Sequence, residues 1–584
     1  MPFETRTCQN CQNPFSIEPE DFEFYEKIKV PPPTWCPECR YRRRLLDRNE
    51  WSLYRRKCDL TGEAIISIYR EDAPFPVYKQ EVWRSDAWDP LAYDRDFDFS
   101  RSFFEQYHEL RQVVQHLALV NSNSVNSEYS NQSQDNKDCY WVSATGGSEK
   151  CMYGNWFQPG SYFSADCYMI EKSEQCYECI NCGKCHTCVW CEDCFDCDSM
   201  DFSIDCIGCS NCFGCIGLRN KRYHYFNQPI SKEEYEKRVA EFDWSRESIA
   251  RVREKLAERA IKFPRKYYHG RKINRSSGDY VMNTEDLRSA FNCRETEDCA
   301  YLQDAWRMKD CLDSTEILQA ERSYELQGCA YTSNSVALRS CWTMSFCYYC
   351  DMCFSCDNRF GCFGLRQKQY CILNKQYSKE EYARLKDRII AHMKETGEWG
   401  EYFPPQHSPF AYNESVAQDF FPLIRTKAQA SDYPWYDRPA KEYKFTMRAS
   451  GLPNKISETD DSILNHVIRC SSQDSEAEQT GHPSCTVAFR LIPLELALYR
   501  TLNIPVPTKC FPCRRTDRFA RRNPRRLWKR VCGCIGMGSR NGNYQNVSSH
   551  FHGSDHCPNE FETSYAPDWK EIVYCESCYQ SEVA

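Results

Sequence analysis

The chain has 584 residues, 40 of them cysteines, and a formal net charge of -8. This length allows several domains, and the acidic balance excludes a uniformly basic nucleic-acid coat, so any nucleic-acid surface must be local. The sequence has no apolar run of about 18 residues or more, which predicts no membrane span. Its first residues, MPFETRTCQNCQN, lack the pattern of a secretory signal. We therefore expect a cytoplasmic protein whose cysteines are thiols or metal thiolates rather than disulfides.

Residues 1–70 are predicted to form a zinc-ribbon module with an arginine-rich helix. Two CxxC pairs stand on either side of a segment that is long enough to form strands. Two such pairs supply the four thiolates of a tetrahedral zinc site. The candidate ligands are Cys8, Cys11, Cys36 and Cys39. Cys58 follows alone, and we expect no metal there.

An arginine-rich stretch follows the second CxxC pair of this module directly. Its arginines recur every four residues, which places them on one face of a helix. Guanidinium groups match phosphate geometry, so the stretch suggests a local RNA surface. The alternative is internal pairing with the protein's own carboxylates, or contact with another protein. The candidate nucleic-acid contacts are Arg40, Arg44, Arg48, Arg55 and Arg56.

The middle of the chain contains two Cys-rich repeats. Residues 71–125 are predicted to be an aromatic and helical connector, and the repeats follow at 126–240 and 279–396. A charged helical linker, 241–278, separates the two repeats. One constant offset, which carries Cys215 onto Cys362, aligns their sequences. The region is therefore an internal duplication.

The first repeat contains the segment CYECINCGKCHTCVWCEDCFDC (176–197), with a cysteine at every third position. In the second copy several of these cysteines are replaced, for example by Ser323, Leu326 and Ser335. Because a metal site would not tolerate such replacements, and because the surviving cysteines keep a six-residue rhythm, we predict a parallel β-solenoid with small residues facing inward. Metal binding by part of the ladder, iron–sulfur clusters and disulfides stay open as alternatives.

Each repeat ends with a helix signal. Ser231 with Glu234, and Ser378 with Glu381, have the spacing of a capping box. We expect these helices to cover the open end of each solenoid, whose edge would otherwise be exposed.

After a Pro- and aromatic-rich linker, 397–465, a second zinc-ribbon module is predicted at 466–533. It aligns with the first module at the offset that carries Cys36 onto Cys510. His482 takes the place of Cys8, and we expect it to be a ligand in preference to its rival, Cys470. The candidate ligands are His482, Cys485, Cys510 and Cys513. The candidate nucleic-acid contacts here are Arg514, Arg518, Arg522, Arg526 and Arg530.

A third ribbon is predicted at 534–584. Its first pair is opened by a Gly/Ser/Asn/His-rich loop, 535–556. Histidines in and beside this loop could compete for metal, but we expect a flexible insertion with incidental histidines. They are His550, His552 and His556. The candidate ligands are Cys532 or Cys534, with Cys557, Cys575 and Cys578.

The chain resembles an uncharacterised bacterial family of Cys-rich zinc-ribbon proteins. The resemblance rests on CPECRYRRRLLDRNEWSLYRRKCDLTGEAIISIY (36–69), DFDFSRSFFEQYHEL (96–110), LRNKRYHYFNQPISKEEYEK (218–237), SPFAYNESVAQDFFPL (408–423) and FETSYAPDWKEIVYCESCYQSEV (561–583). The family has no established activity, so the resemblance implies the ribbons and little about function. Its members have a compact CxxC where this chain runs from Cys470 to Cys485.

Together these patterns predict a mainly β protein with short helices, in which zinc ribbons at both ends flank two Cys-rich solenoid-like repeats. About three structural zinc ions are expected. The sequence has no recognisable catalytic motif, so we expect a non-enzymatic protein that binds RNA or a ribonucleoprotein. The alternatives are a protein-interaction scaffold built on the solenoids, and metal or redox handling by the Cys ladder.

Overall fold

The computed structural model describes residues 3–179, 186–192, 198–439, 443–474 and 484–583. The chain divides into two compact units, each built from two separate stretches of sequence. Unit 1 comprises Met1–Leu119 and Gly270–Tyr436, and unit 2 comprises Val120–His269 and Asp437–Ala584. Unit 1 thus joins the N-terminal ribbon to the second solenoid, and unit 2 joins the C-terminal ribbons to the first solenoid.

The helices are short and lie outside the solenoid coils. None of those among the described residues has the length and apolar content that crossing a bilayer requires. In unit 1 they are Pro19–Ile28, Pro37–Leu46, Gln80–Arg84, Phe103–Val113, Lys379–Glu395, Ala417–Phe420 and Arg425–Ala430. In unit 2 they are Lys232–Ala240, Arg246–Ala260, Pro493–Thr501, Phe511–Ala520 and Glu576–Val583.

Most strands belong to the two solenoids. In unit 1 the solenoid strands are Gly270–Asn274, Gly278–Asp279, Val281–Arg288, Ala290–Ala300, Gln303–Trp306, Met308–Ile317, Ala320–Gln327, Ala330–Ser333, Val336–Arg339, Trp342–Tyr348, Phe354–Phe360, Gln369–Ile372 and Lys375–Gln376. In unit 2 they are Asn121–Ser122, Ser130–Asn131, Ser133–Gln134, Val142–Ser143, His186–Glu192, Asp198–Ile204, Ser210–Phe213, Arg222–Tyr225 and Gln228–Pro229.

The remaining strands form small pairings around the ribbons. In unit 1 they are Glu4–Thr7, Pro14–Ile17, Tyr54–Lys57, Ala64–Ser67, Val77–Tyr78 and His116–Leu117. In unit 2 they are Pro264–Lys266, Met447–Arg448, Ile468–Arg469, Ala488–Phe489, Trp528–Val531, Cys534–Ile535, Gly538–Ser539, Glu560–Thr563 and Ile572–Tyr574.

The predicted parallel β-solenoid is confirmed in both units. In unit 1 Cys299 pairs with Cys311, and Cys311 pairs with Ser323, always in parallel register. In unit 2 Asp198 pairs with Ser210 in the same way. Each residue therefore lies beside the one twelve positions later, so one coil of the solenoid takes twelve residues. The six-residue rhythm seen in the sequence is half a coil.

A three-residue step builds each coil. In the second solenoid every third residue is left-handed over long stretches, as at Asn292, Glu295 and Asp298, with φ of 60°, 54° and 52°. For a non-glycine residue, this left-handed conformation costs about 1–2 kcal/mol in free energy relative to the right-handed one. Each such residue turns the chain sharply, and the next residue, such as Cys293, points inward and is fully buried. Four steps close one coil, and the parallel backbone hydrogen bonds between coils hold the turns in place.

The step explains why cysteines recur at every third position. The inward position accepts a small side chain, and Ser323, Leu326 and Ser335 are as fully buried there as Cys311. In the first solenoid Cys176 and Cys179 are buried in the same way. The intervening ladder cysteines Cys182, Cys185, Cys194 and Cys197 lie outside the described residues.

The first solenoid has one extra residue in a coil. Before it, Tyr140 pairs with Met152, which is twelve residues away; across it, Met152 pairs with Ala165, which is one residue further. The extra residue lies near Pro159, beside the turn at Gly160, whose φ is 87°. The offset in residue number between equivalent positions of the two solenoids is therefore one residue larger before this point than after it.

A hairpin and then a helix end each solenoid, and the two helices lie where the sequence predicts them. In unit 1 Ser378 and Glu381 form the full capping box, and Tyr382 of the helix packs on Tyr370 of the last coil, with ring centroids 5.8 Å apart. In unit 2 Ser231 accepts the Glu234 N–H, and equivalent tyrosines meet at 5.9 Å. These tyrosines are Tyr223 and Tyr235.

We expect Cys311→Ser to be tolerated and Leu326→Ala to be costly. The serine variant repeats what Ser323 already does one coil away, so it should lower the free energy of unfolding by about 1 kcal/mol and leave the bound metal unchanged. The alanine variant opens a cavity, with an expected cost of about 2–5 kcal/mol. Urea unfolding and native mass spectrometry measure both effects, and loss of metal from Cys311→Ser would contradict a packing role for this thiol.

Candidate metal centres and the arginine helices

The predicted ligands of the N-terminal ribbon come together in the structure. Cys8 and Cys11 lie in the tight turn after strand Glu4–Thr7, and Cys36 and Cys39 lie at the start of helix Pro37–Leu46. Their four sulfur atoms lie within 4.8 Å of one another. The Cys36 N–H donates to Cys8 Sγ at 3.2 Å, which holds the two pairs together.

The second ribbon repeats this arrangement with four cysteines. Cys470, Cys485, Cys510 and Cys513 form the group, and the Cys510 N–H donates to Cys470 Sγ at 3.3 Å. Cys470 therefore takes the position that we had expected for His482, which itself lies outside the described residues. Four sulfur atoms already complete a tetrahedral set, and this corrects the predicted His/Cys3 site.

In the third ribbon, Cys532 rather than Cys534 completes the predicted group of four cysteines. It groups with Cys557, Cys575 and Cys578, and the Cys575 N–H donates to Cys532 Sγ at 3.2 Å. The same hydrogen bond therefore links the first and third cysteine of every ribbon. Cys534 belongs to a different group, described below.

Sulfur–sulfur distances in the ribbons fit a metal and exclude a disulfide. One pair in each group is separated by 3.8 Å: Cys11 and Cys36, Cys485 and Cys510, and Cys557 and Cys575. Two sulfurs bound tetrahedrally at about 2.3 Å from one ion are about 3.8 Å apart. A disulfide bond would need about 2.05 Å. The groups can therefore hold metal ions without rearrangement.

In the first and third ribbons, a hydrogen bond between two cysteines lowers the pKa of one thiol and raises the pKa of the other. The pKa of Cys36 is lowered to about 5, chiefly because the Cys39 thiol donates to its sulfur, although burial opposes the shift. The pKa of Cys575 is lowered to about 4, chiefly by a hydrogen bond from Cys532. Since metals bind the deprotonated thiol, each group holds one ligand that ionises easily.

Among the described residues, a fourth group could also hold a metal ion. It consists of Cys534, His550, His552 and Cys578, whose ligand atoms again lie within 4.8 Å of one another. The histidines that we had expected to be incidental therefore meet a cysteine of the third ribbon. His556 does not belong to this group and is exposed.

The arginine helix of unit 1 is buried against the solenoid. Arg40 Nη2 lies 2.8 Å from Asp313 Oδ2, and Arg44 Nη1 lies 2.9 Å from Glu325 Oε2 and 3.3 Å from Asp313 Oδ1. The side chains of Arg40 and Arg44 are 2% and 0% exposed. The pKa of Arg40 is raised well above its ordinary value, because Asp313 and its neighbours outweigh the effect of burial. We call these four residues the unit 1 arginine cluster.

Unit 2 contains the same cluster at equivalent positions. Arg514 Nε lies 2.9 Å from Asp166 Oδ2, and Arg518 Nη1 lies 2.7 Å from Asp166 Oδ1. Arg521 Nη1 lies 3.4 Å from Glu178 Oε2. Asp166 and Glu178 fall on Asp313 and Glu325 at the solenoid offset, and Arg514 and Arg518 fall on Arg40 and Arg44 at the ribbon offset. Arg521, which pairs with Glu178, falls on Asp47, so only the two arginines that share an aspartate are duplicated. We call Arg514, Arg518, Asp166 and Glu178 the unit 2 arginine cluster.

Aromatic residues surround both clusters in the same way. The Arg40 guanidinium lies over the Tyr301 ring at 5.3 Å, and the Tyr301 hydroxyl donates to Asp21 at 2.9 Å. In unit 2 the corresponding distances are 5.0 Å and 3.1 Å, and the corresponding residues are Arg514, Tyr153 and Glu495. Tyr153 and Tyr301 correspond once the extra residue near Pro159 is counted.

The burial of these arginines corrects their predicted role. Five of the predicted RNA contacts have buried guanidinium groups paired with carboxylates that are themselves buried, so the structure presents none of them to a phosphate. They are Arg40, Arg44, Arg48, Arg514 and Arg518. Arg48 contacts Glu50 at 2.8 Å and also meets Glu316.

The other predicted RNA contacts differ from one another in burial and in their partners. Arg56 is buried and donates to Asp59 at 2.8 Å, and Arg530 donates to the Ala566 carbonyl at 3.1 Å. Arg522 is half-buried over the Tyr168 ring, at 4.1 Å from its centroid. Arg55 and Arg526 are exposed.

Sequence reasoning missed the carboxylates that these arginines bind. The signal was present, because the offset that aligns the two Cys-rich repeats also carries Asp166 onto Asp313 and Glu178 onto Glu325. An acidic residue kept at the equivalent position in both copies is a sign of a duplicated contact.

A scan against protein-family models found no matching family, and a search of curated proteins found no relative. The resemblance to the Cys-rich zinc-ribbon family therefore stays a prediction.

We expect Cys36→Ser to remove about one bound metal ion per chain and Cys58→Ser to remove none. Cys36 is one of four sulfurs of a group, whereas Cys58 is a buried cysteine of the same module that belongs to none of the groups. Native mass spectrometry of the full chain gives both counts. Equal counts for Cys36→Ser and the unchanged protein would show that the N-terminal group holds no metal.

Proposed function

We propose that this protein is a zinc-stabilised, non-enzymatic scaffold. In each unit a ribbon holds an arginine helix against a Cys-lined solenoid, and the outer solenoid faces are left for contact with other proteins. The observation that carries the proposal is the duplicated arginine cluster, in which two equivalent ribbon arginines bind one equivalent solenoid aspartate: Arg40 and Arg44 bind Asp313, and Arg514 and Arg518 bind Asp166.

Zinc is the ion that fits the ribbons best. Groups of four thiolates with tetrahedral spacing are typical of structural zinc sites, which are closed by protein ligands and leave no position for a substrate. In the first two ribbons the second cysteine pair begins the arginine helix itself, with Cys36 and Cys510 as the residues that precede helices Pro37–Leu46 and Phe511–Ala520. Metal binding would therefore fix the start of each arginine helix.

The outer faces of the solenoids support a role in protein contact. In unit 1 one such face carries charges of both signs from neighbouring coils, with Arg307 Nε at 3.1 Å from Glu295 Oε2 and Lys309 Nζ at 3.1 Å from Glu297 Oε1. All four side chains are at least half exposed. Stacked repeats commonly use such extended surfaces to bind proteins. A face of mixed charge has no net attraction for a polyanion.

Titration with RNA tests the proposal directly. Fluorescence anisotropy with single-stranded and hairpin RNA, between about 50 and 200 mM salt, should show no salt-sensitive binding, because the clustered arginines are already paired. Salt-sensitive binding that is lost in Arg55→Gln or Arg526→Gln, the exposed members of the predicted set, would overturn the scaffold proposal in favour of RNA binding.

Asp313→Asn should strongly destabilise unit 1. The change removes a negative charge that two buried arginines share, and breaking a buried pair in this way costs about 3–5 kcal/mol of the free energy of unfolding. The matched control is Glu297→Gln, which removes an exposed pair with Lys309 and should cost no more than about 1 kcal/mol.

Urea unfolding followed by tryptophan fluorescence compares the two variants. Urea is preferred to guanidinium because it leaves ion pairs unscreened. A loss for Asp313→Asn as small as that of the control would mean that the cluster does not hold the ribbon on the solenoid.

A further inference from the structure

The C-terminal ribbon contains two overlapping groups of metal ligands. One consists of Cys532, Cys557, Cys575 and Cys578, and the other of Cys534, His550, His552 and Cys578. Cys578 is common to both groups and is fully buried at the first turn of helix Glu576–Val583. A thiolate sulfur has more than one lone pair, so one cysteine can bind two ions at once.

His550 is arranged as a ligand whose other nitrogen is fixed. Its Nε2 lies 3.0 Å from Glu582 Oε1, and the side chains of both residues are fully buried. Because the carboxylate accepts a hydrogen bond, Nε2 carries the proton and Nδ1 keeps its lone pair. Nδ1 is buried and has no hydrogen-bond partner among the described residues. A carboxylate that orients a histidine in this way is characteristic of zinc sites.

Glu582 is itself held firmly. Its carboxylate accepts the Val547 N–H at 2.9 Å, the Ser548 N–H at 3.0 Å and the Tyr544 hydroxyl at 3.0 Å. These bonds tie the histidine-containing loop to the last helix of the chain. The loop that the sequence predicts to be a flexible insertion is therefore anchored to this helix from Tyr544 to His550.

His552 and Cys534 are oriented by equally specific contacts. His552 Nδ1 donates to the Asp555 carbonyl at 2.7 Å, which leaves Nε2 free to bind metal, 3.4 Å from Cys578 Sγ. Cys534 Sγ accepts a hydrogen bond from Asn546 Nδ2 at 3.1 Å. Hydrogen bonds of this kind stabilise a metal-bound thiolate and fix its direction.

We propose that the C-terminal ribbon binds two zinc ions bridged by the Cys578 thiolate. The first is bound by Cys532, Cys557, Cys575 and Cys578, and the second by Cys534, His550, His552 and Cys578. Five thiolates and two divalent ions leave a net charge of −1 on the pair, less than the −2 of a single four-thiolate zinc. Binding the second ion releases the proton of the Cys534 thiol to solvent. The inference does not depend on the scaffold function.

The first test is the zinc content of the full-length protein, measured by native mass spectrometry. We expect four zinc ions per chain, one for each group among the described residues. His552→Gln should reduce the count to three, and His556→Gln, which changes an exposed histidine outside the group, should leave it at four. Three ions in the unchanged protein, or no loss in His552→Gln, would overturn the second site.

The second test addresses the bridge. In the fully cobalt-substituted protein, a shared thiolate couples the spins of two Co²⁺ ions, so the magnetic susceptibility should fall below that of four independent ions. His552→Gln should restore independent behaviour while the thiolate–cobalt absorption of the other three sites remains. That absorption also shows that the variant is folded. Four independent ions in the unchanged protein would overturn the bridge.

Discussion

Buried arginine–carboxylate contacts are the constraint on which both units depend. Removing a guanidinium group from water costs several kcal/mol, and this cost is offset only when carboxylates meet it with good geometry. Asp313 and Asp166 do so, and each lies in a left-handed turn of its coil, with φ of 51° and 58°. The ribbon must hold the helix rigid enough for the contact to form. In each unit the cysteine group that could hold a metal ion lies at the start of the arginine helix, and that helix carries the arginines that pair with the aspartate in the solenoid turn.

The solenoids are subject to a different physical constraint, because the core inside each coil is very narrow. A coil with three residues on each side encloses a narrow core filled by small and medium-sized side chains, and cysteine provides a small apolar group with a weak donor. Cys293 Sγ, for example, lies 3.4 Å from the Phe291 carbonyl of its own coil. Serine and leucine occur at the same inward positions. The abundance of cysteine in the middle of the chain thus follows from the size of the core.

The sequence alone was sufficient to predict the solenoids, the three ribbons and most of their ligands, because cysteine spacing and duplication record them directly. It was not sufficient to choose between His482 and Cys470, because neither of them forms a CxxC pair with Cys485, so residue spacing does not identify the fourth ligand. The role of Arg40 and Arg514 was also missed. A row of arginines has the same local pattern whether it meets a phosphate or a carboxylate, and Asp313 and Asp166 lie far away in sequence. The fourth ligand group was missed because its histidines lie in a loop without regular spacing.

The composition of the units has a consequence for biosynthesis. Arg44 and Asp313 are separated by 269 residues, and Arg514 and Asp166 by 348. When the N-terminal ribbon leaves the ribosome, the carboxylates that it needs have not yet been made, and the whole first solenoid is synthesised before them. The first solenoid, in turn, cannot form its contacts with the C-terminal ribbons until those ribbons have been synthesised. Contacts so distant in sequence form late and require the closure of long loops. Neither unit can be completed before its second stretch of sequence has been made. In unit 1 the arginines stay hydrated until their carboxylates emerge, and in unit 2 the carboxylates stay hydrated until the arginines emerge.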